Sequence, residues 1–564
     1  MNPLRVERLP APLPILFALL AVLWTVPPEV HPLGSVLAFA LLAVLSLVVL
    51  PARPGDLAGA PNLEKTFLVL LIIPLFISFH GALDSGAAVD RLLLVGGALL
   101  MFLAGRRLPS APARGLILLL VAGGVLLALH GVWQYLHTFP SLLESADLDP
   151  AAASRLSTLR VFSRFLLPSV FASFLLLSLP PALGLAREGQ KGRRVLALAA
   201  AVIMAVALLL TRSHGALAAL LATVVLWRLP AGRRRPAWTA AIVTVILVAL
   251  AMVVWSRSGV LLTDASGQGP AALRLRNVQT AFSMLVDHPV QGLGGGGYGA
   301  AYPSYREPGD NETHFVHNSY LQLVVEHGLT MAVPLVLLLL SWGSITRQAL
   351  ARNAPVKTGM VLGLTAFLLH NLVDFSALLP STLWTAALLA GLVASPEAGQ
   401  EKEEITGRAW RLVPVAAALA AALLAATAGV ATGLARESLE RSQAQVSGGD
   451  LAGALASARK STTWAPWRPE GHLLEAEILM RHPELAGDDA GRLAWQAASR
   501  ALRWAPVWPA AHSVRAATAA MQGQPGLAAA DLQRAVELYP METAYARQLD
   551  ILAARLMTDG ETTP

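Results

Sequence analysis

The sequence contains no cysteine and has little charge. Without cysteine, disulfides, thiolate metal sites and nucleophilic thiol chemistry are excluded. Only 14% of the 564 residues are charged, whereas 55% are hydrophobic, and the mean hydropathy is +0.56. This composition lies outside the soluble range and predicts an all-α polytopic membrane protein. The net charge of +7 comes from short Lys and Arg clusters between apolar segments, so it indicates membrane topology and not a nucleic-acid partner.

The apolar runs predict about thirteen transmembrane helices. Their approximate limits are 12–26, 33–50, 66–80, 91–104, 115–135, 165–185, 195–211, 215–227, 238–255, 318–345, 358–373, 379–394 and 412–435. We expect no cleavable signal peptide, because the first run lacks a small-residue cleavage site and a second run follows it.

Clusters of basic residues indicate the topology of these spans. They include Arg106 and Arg107, Arg193 and Arg194, Arg233 to Arg235, and Arg347 with Arg352. All fall on the cytoplasmic side if the N-terminus is cytoplasmic, as the positive-inside rule requires. The opposite side then receives the long polar loop 256–317 and everything after the last span. We therefore predict a transmembrane domain at 1–435 and an extracytoplasmic domain at 436–564.

The C-terminal domain has a repeating pattern. Three similar segments end at Pro466, Pro506 and Pro540, with spacings of about 40 and 34 residues. Each follows an alanine-rich helical stretch. The pattern resembles tetratricopeptide repeats, which stack into a curved surface that binds partners. The alternative is a plain pair of helical hairpins.

One polar stretch marks the end of the long loop. Residues 313–322 read THFVHNSYLQ, and we expect a single apolar helix from Asn318 to about Ile345. His314 and His317 therefore lie where a polar loop meets the membrane, and both are candidate catalytic residues. The alternative is that these His and Asn side chains only cap the helix.

Further polar residues on the predicted outer face belong to the same candidate site. They are Arg155, Arg160, Arg212, His214, Arg274, Arg276, Asn318, His370 and Asp374. Ionisable groups at membrane depth are costly and are therefore candidates for function. Guanidinium groups suit phosphate oxygens, and a neutral histidine suits proton abstraction from a hydroxyl. The set predicts a lipid-linked diphosphate that is attacked by a sugar hydroxyl.

Three further patterns carry a weaker signal. The glycine run at 292–297 contains GxGxxG, but no strand precedes it, so we interpret it as a flexible loop. Asp147 and Asp149 form a DxD pattern, which we interpret as solvated surface in an acidic loop. Glu326 and His327 lie within a predicted span and require a polar partner that the sequence does not identify.

The order of these motifs resembles the O-antigen ligase and O-antigen polymerase superfamily, which includes protein O-oligosaccharyltransferases. The motifs are the arginine segment 155–168, a T-x-S-R-G-like turn at 211–215, an arginine-rich helix leading to P-x-x-G-x-G at 289–294, H-N-x-x-L at 317–321 and H-x-x-x-D-F at 370–375. The resemblance covers about residues 60–395. One departure is that relatives usually have arginine where this chain has His214, with Arg212 two positions earlier. Which of the two reaches the donor phosphate is left open.

The resemblance implies an undecaprenyl-diphosphate-linked glycan as donor and a glycosyltransferase of the GT-C type in the bacterial inner membrane. His317 would be the base or would position the acceptor hydroxyl, and Arg212, Arg274 and Arg276 would hold the diphosphate. No cofactor or divalent metal would be required. The acceptor, which is a growing glycan, lipid A core or a protein, is left open. The repeat domain would be periplasmic and could bind a protein partner.

Two functions from other classes compete with this prediction. A polysaccharide flippase is disfavoured because no inverted repeat with paired broken helices is evident, and a transporter has no need of a large outer loop ending in His-Asn. A membrane-anchored scaffold would need only one span.

Overall fold

Helices form all the regular secondary structure that is described in the computed structural model. The described residues are 12–52, 75, 76, 79, 81–145, 149, 153, 156–228, 270–351, 354–395 and 412–561, and no strand occurs among them. The predicted all-α class is confirmed.

The membrane part begins with the helices α1 to α8. They are Pro12–Thr25, Pro32–Ala52, Ser85–Arg107, Ser110–Trp133, Phe139–Leu143, Pro168–Glu188, Lys191–Leu210 and His214–Arg228. Two helices, α9 (Pro270–Asp287) and α10 (Gly297–Tyr305), lie within the long loop. The next four, α11 to α14, are Ser319–His327, Ala332–Ala351, Pro355–His370 and Pro380–Ala394.

Seven described helices are long and apolar enough to cross a membrane, and four shorter apolar helices accompany them. Together they account for every predicted span except two. The spans predicted at 66–80 and 238–255 lie wholly or largely outside the described residues, as do residues 256–269 of the long loop. The chain is a polytopic membrane protein.

The predicted continuous helix from Asn318 to Ile345 is wrong. The chain forms α11, then a break at Gly328 and a short 3₁₀ turn, and then α12. Gly328 has a φ of 74°, and a Cβ there would lie 2.0 Å from the Val290 carbonyl oxygen. Only glycine fits such a conformation and such a close approach, so the helix must end there.

Glycines also allow close packing around the central helix α6. A Cβ on Gly359 of α13 would lie 2.4 Å from the Pro180 carbonyl oxygen, and one on Gly363 would lie 2.8 Å from that of Leu176. Small residues let membrane helices approach closely. The α6–α13 contact places the end of α13, where His370 lies, beside Ser173 of α6.

The last seven helices form the C-terminal part. They are α15 to α21 at Leu412–Ser447, Leu451–Trp464, Pro469–Arg481, Ala490–Trp504, Pro509–Met521, Pro525–Leu538 and Thr543–Glu561. Helix α15 runs past residue 435 without a break, so the predicted domain boundary falls inside one helix.

The helices from α16 to α21 form three successive pairs, and the same contact occurs within each of the first two pairs. His472 Nε2 donates to the Pro466 carbonyl and His512 Nε2 donates to the Pro506 carbonyl, each at 3.0 Å. The predicted helical repetition is thus present in the fold. The assignment to tetratricopeptide repeats stays a prediction.

Candidate functional site

Four described non-glycine residues have a positive φ, and all four lie in the motifs that the sequence singled out. They are Leu159 (49°), Ser163 (54°), Arg212 (50°) and His317 (61°). This conformation is uncommon for residues with a Cβ, and such strain concentrates at functional sites. The strained positions therefore indicate where the fold holds its backbone against local preference.

Asn318 begins helix α11. Its side-chain oxygen accepts hydrogen bonds from the backbone N–H groups of Tyr320 at 3.1 Å and Leu321 at 3.0 Å. This is the helix-capping role that sequence analysis kept as the alternative. The cap fixes the backbone that leaves His317, and a role for Asn318 in substrate binding stays a prediction.

Ser319 joins the H-N-x-x-L motif to the H-x-x-x-D-F motif. Its backbone N–H donates to the carbonyls of Asn371 and Asp374, each at 3.0 Å. Its buried hydroxyl donates to Asn371 Oδ1 at 2.8 Å and to the Asp374 carbonyl at 3.1 Å. Two segments that are more than fifty residues apart in sequence therefore form one unit.

The aromatic ring of Phe375 completes this junction. It stacks on Phe315 with 4.0 Å between the ring centroids. The His317 ring meets Phe375 edge-on at 5.3 Å. His317 is half-buried, so the imidazole is held by an apolar neighbour while part of it stays accessible.

His370 and Asp374 are both almost completely buried beside this unit. His370 Nδ1 lies 2.7 Å from the Ser173 hydroxyl of α6. The Asp374 carboxylate accepts hydrogen bonds from the Ser376 hydroxyl and, at 2.9 Å, from the Ser376 backbone N–H. Helix α13 ends at His370, so Asp374 lies in the turn that follows.

Electrostatics favour an ionised Asp374. Burial raises the pKa of this carboxyl, but the neighbouring His370 and the Ser376 hydroxyl outweigh burial and hold the pKa below its usual range. His317 lies close enough to contribute in the same direction. A carboxylate in the connecting turn is thus available to stabilise positive charge on a nearby imidazole.

The turn at 211–215 lies against the same unit. Arg160 Nε donates to the Thr211 carbonyl at 3.0 Å, which joins the arginine segment to this turn. A Cβ on Gly215 would lie 3.3 Å from His370 Cδ2. Arg212 and His214 are both exposed on this turn.

The two arginines of α9 have different surroundings. Arg274 lies near enough to His370 to act on it electrostatically. Arg276 pairs with the buried carboxylate of Asp310 at 3.3 Å and so braces the long loop. The structure brings Arg274 to the site, whereas a role for Arg276 at the donor stays a prediction.

His314 and Arg155 complete the predicted set. His314 is exposed and packs against α10, where a Cβ on Gly299 would lie 2.5 Å from its Nδ1. Arg155 lies outside the described residues.

Two features of the site were missed or misread in the sequence. Ser319 and Asn371 form the junction between the two motifs. The sequence signal for them was their position, because Ser319 follows the His317–Asn318 pair and Asn371 follows His370. The glycine run is not a flexible loop, because Leu293 N–H donates to the Val325 carbonyl at 3.2 Å and Gly294 N–H donates to that of Glu326 at 2.9 Å. Its glycines with positive φ allow this close approach to α11.

The partner of Glu326 is Arg91 of α3. Arg91 Nε and Nη2 each donate to the Glu326 carboxylate at 3.0 Å. Among the residues that the structure describes, no group of three or more His, Asp or Glu side chains could hold a metal ion.

The described arrangement suits acid–base chemistry beside an anion. The half-buried imidazole of His317 lies near the buried carboxylate of Asp374, and Arg274 lies near the neighbouring His370. Such a set can accept a proton from a hydroxyl and hold phosphate oxygens.

One family model matches part of the chain. Residues 199–336 match the family model Wzy_C, described as O-antigen ligase. The match runs from α7 through the turn with Arg212, the long loop and His317 to the start of α12. No curated protein matches the chain.

Proposed function

We propose that this chain, which carries an O-antigen ligase family domain, transfers a glycan from an undecaprenyl-diphosphate-linked donor to an acceptor hydroxyl. The family supports glycan transfer in a membrane. One observation carries the finer proposal, namely that His317 packs on Phe375, which follows Asp374 in the segment that the turn with Arg212 contacts at His370. A base and anion-binding groups thus share one end of the membrane helices.

In this proposal His317 is the general base. A sugar hydroxyl is a poor nucleophile until its proton leaves, and His317 accepts that proton as the oxygen attacks the anomeric carbon. The bond between that carbon and the diphosphate oxygen breaks, and undecaprenyl diphosphate departs with the electron pair. The ionised Asp374 stabilises the imidazolium that forms.

Arginines hold the charge of the donor in this scheme. Arg212 is exposed on a strained turn, and Arg274 approaches His370 from α9. Guanidinium groups form paired hydrogen bonds with phosphate oxygens, which makes the diphosphate a better leaving group. Arg160 orders the turn through Thr211 and is the third candidate.

The contacts of the repeat domain support a role for this domain in binding the acceptor or a partner. It contacts the same loop that leads to His317, because Ser304 of α10 donates to the Leu538 carbonyl at 2.9 Å. We place the repeat domain and this loop on the outer face of the inner membrane. In this proposal the repeat domain binds the acceptor or a partner of the assembly machinery and has no part in the chemistry.

The test measures transfer of labelled glycan by purified protein in lipid nanodiscs. His317→Ala should fold normally and lose at least about two orders of magnitude in kcat. His314→Ala is the matched control, since His314 packs against α10, and it should retain most activity. If the His314 variant were inactive and the His317 variant active, the base would be misassigned. Full activity of both would contradict the proposal.

A further inference from the structure

The backbone just before His317 is held at two points by one side chain. Gln322 of α11 is buried, with 1% of its surface exposed. Its Oε1 accepts the Val316 backbone N–H at 3.1 Å, and its Nε2 donates to the His314 carbonyl at 3.3 Å. The amide therefore spans the three-residue segment His314–Val316, whose last peptide leads directly into His317.

A buried ion pair sets the orientation of this amide. Gln322 Nε2 also donates to Glu326 Oε1 at 2.8 Å. Glu326 is completely buried and accepts two hydrogen bonds from Arg91. Because the carboxylate can only accept, it forces the NH₂ group of Gln322 toward itself and leaves Oε1 facing Val316.

The cost of this arrangement argues for a role beyond packing. A buried ion pair is expensive to desolvate and seldom adds net stability over apolar residues of similar size. The network ends on the segment before His317, and the φ of His317 is in the left-handed region. Strained conformations persist only where surrounding contacts over-determine them.

We propose that Gln322 is a positioning residue for His317, and that Arg91 and Glu326 fix Gln322. This inference rests on the proposed function. Gln322 acts through the backbone of the segment His314–Val316, and it holds the imidazole where it can meet the acceptor hydroxyl. Arg91 comes from α3, more than two hundred residues earlier, so the site depends on a helix outside the matched family domain.

The first experiment replaces Gln322 by methionine, which keeps the length and removes the hydrogen bonds. Misplacing a catalytic group by about 1 Å can cost about a hundredfold in rate. We expect Gln322→Met to lower kcat by about 10-fold to 100-fold. The KM for the lipid-linked donor should stay within about threefold, because the arginines are untouched. An unchanged kcat, or a loss expressed only in KM, would overturn the inference.

A second measurement separates positioning from general structural damage. Gln322→Met is combined with His317→Ala, and the double variant is compared with His317→Ala alone. If Gln322 acts through His317, the second substitution should change the residual rate by less than about twofold. A full independent loss in that background would overturn the inference. If His317→Ala alone were fully active, His317 would not be the base. This outcome tests the proposed function separately from the role of Gln322.

A charge-conserving swap guards against a variant that fails to fold. Gln322→Glu alone places two carboxylates together and should lose activity. Adding Glu326→Gln removes the contact between two carboxylates, and the introduced amide can donate to the introduced carboxylate. A carboxylate oxygen can accept the Val316 N–H in both variants, whereas the His314 carbonyl lacks its donor in both. We expect the double variant to recover part of the lost rate. Absence of recovery in a folded double variant would contradict the proposed network.

Discussion

The Arg306 guanidinium lies over the ring of Tyr539, with 5.8 Å between its central carbon and the ring centroid. Arg306 follows α10 in the long loop, and Tyr539 lies in the third of the recurring segments of the repeat domain. The Tyr539 hydroxyl donates to Glu312 at 2.7 Å, and Arg306 Nη1 pairs with the same carboxylate at 3.2 Å. The repeat domain is thus attached to the loop that ends at His317.

A second attachment joins the repeat domain to α3. Arg468 pairs with Asp90 at 2.8 Å and with Glu470 at 2.9 Å, and its side chain is largely buried. Arg468→Ala should therefore loosen the repeat domain and increase protease cleavage near residue 448. Arg492→Ala is the control, because Arg492 pairs only near its own position with Asp489 on the surface. Equal cleavage of the two variants would count against docking through Arg468.

The two arginines of α9 should respond differently to substitution. Arg274→Ala should raise the Kd for the donor by about tenfold or more, since it removes charge-assisted hydrogen bonds to phosphate. Arg276→Gln should first lower thermal stability, because it leaves the buried Asp310 carboxylate without this partner. Adding Asp310→Asn should recover part of that loss. Donor titration and thermal denaturation distinguish the two effects, and the reverse pattern would assign Arg276 to the donor.

Glu29 should make the stability of the fold depend on pH. It lies in the turn between α1 and α2, where it accepts from the Ser381 hydroxyl. Burial raises its pKa from 4.5 to about 7. Between these values the folded protein holds a proton that the unfolded chain releases, so stability falls as pH rises through that window. The effect is at most about 3 kcal/mol.

Glu29→Gln should remove this dependence, and thermal denaturation at pH 5 and pH 8 measures it. The melting temperature of the variant should change less between the two values than that of the unmodified protein. Glu440→Gln, at an exposed position of α15, serves as the control. An unchanged pH dependence in the Glu29 variant would show that another group is responsible.

The basic clusters predict an extracytoplasmic C-terminus. An alkaline phosphatase fused after residue 564 should be active, because this reporter folds only outside the cytoplasm. A fluorescent protein that requires the cytoplasm should remain dark at the same position. The opposite pair of results would place the repeat domain, and the loop it contacts, on the cytoplasmic side.

The sequence alone determined the class of the molecule and the segments that form the site. A chain with little charge and long apolar runs cannot fold as a soluble protein, because its surface would be almost wholly apolar. The local pattern at Asn318 allows either a helix cap or a role in the site, and the structure shows the cap. The order of motifs such as that at His317 also predicts the family whose model matches residues 199–336.

Only the tertiary structure decided how those segments meet. The break at Gly328 depends on the approach of Val290, which no local pattern shows, and the partner of Glu326 is Arg91, far away in sequence. Ser319 of α11 joins Asn371 at the end of α13, although the two are far apart in sequence. Hydrophobic periodicity and turn residues act over a few neighbours, whereas hydrogen bonds between distant segments depend on the packing of the whole chain.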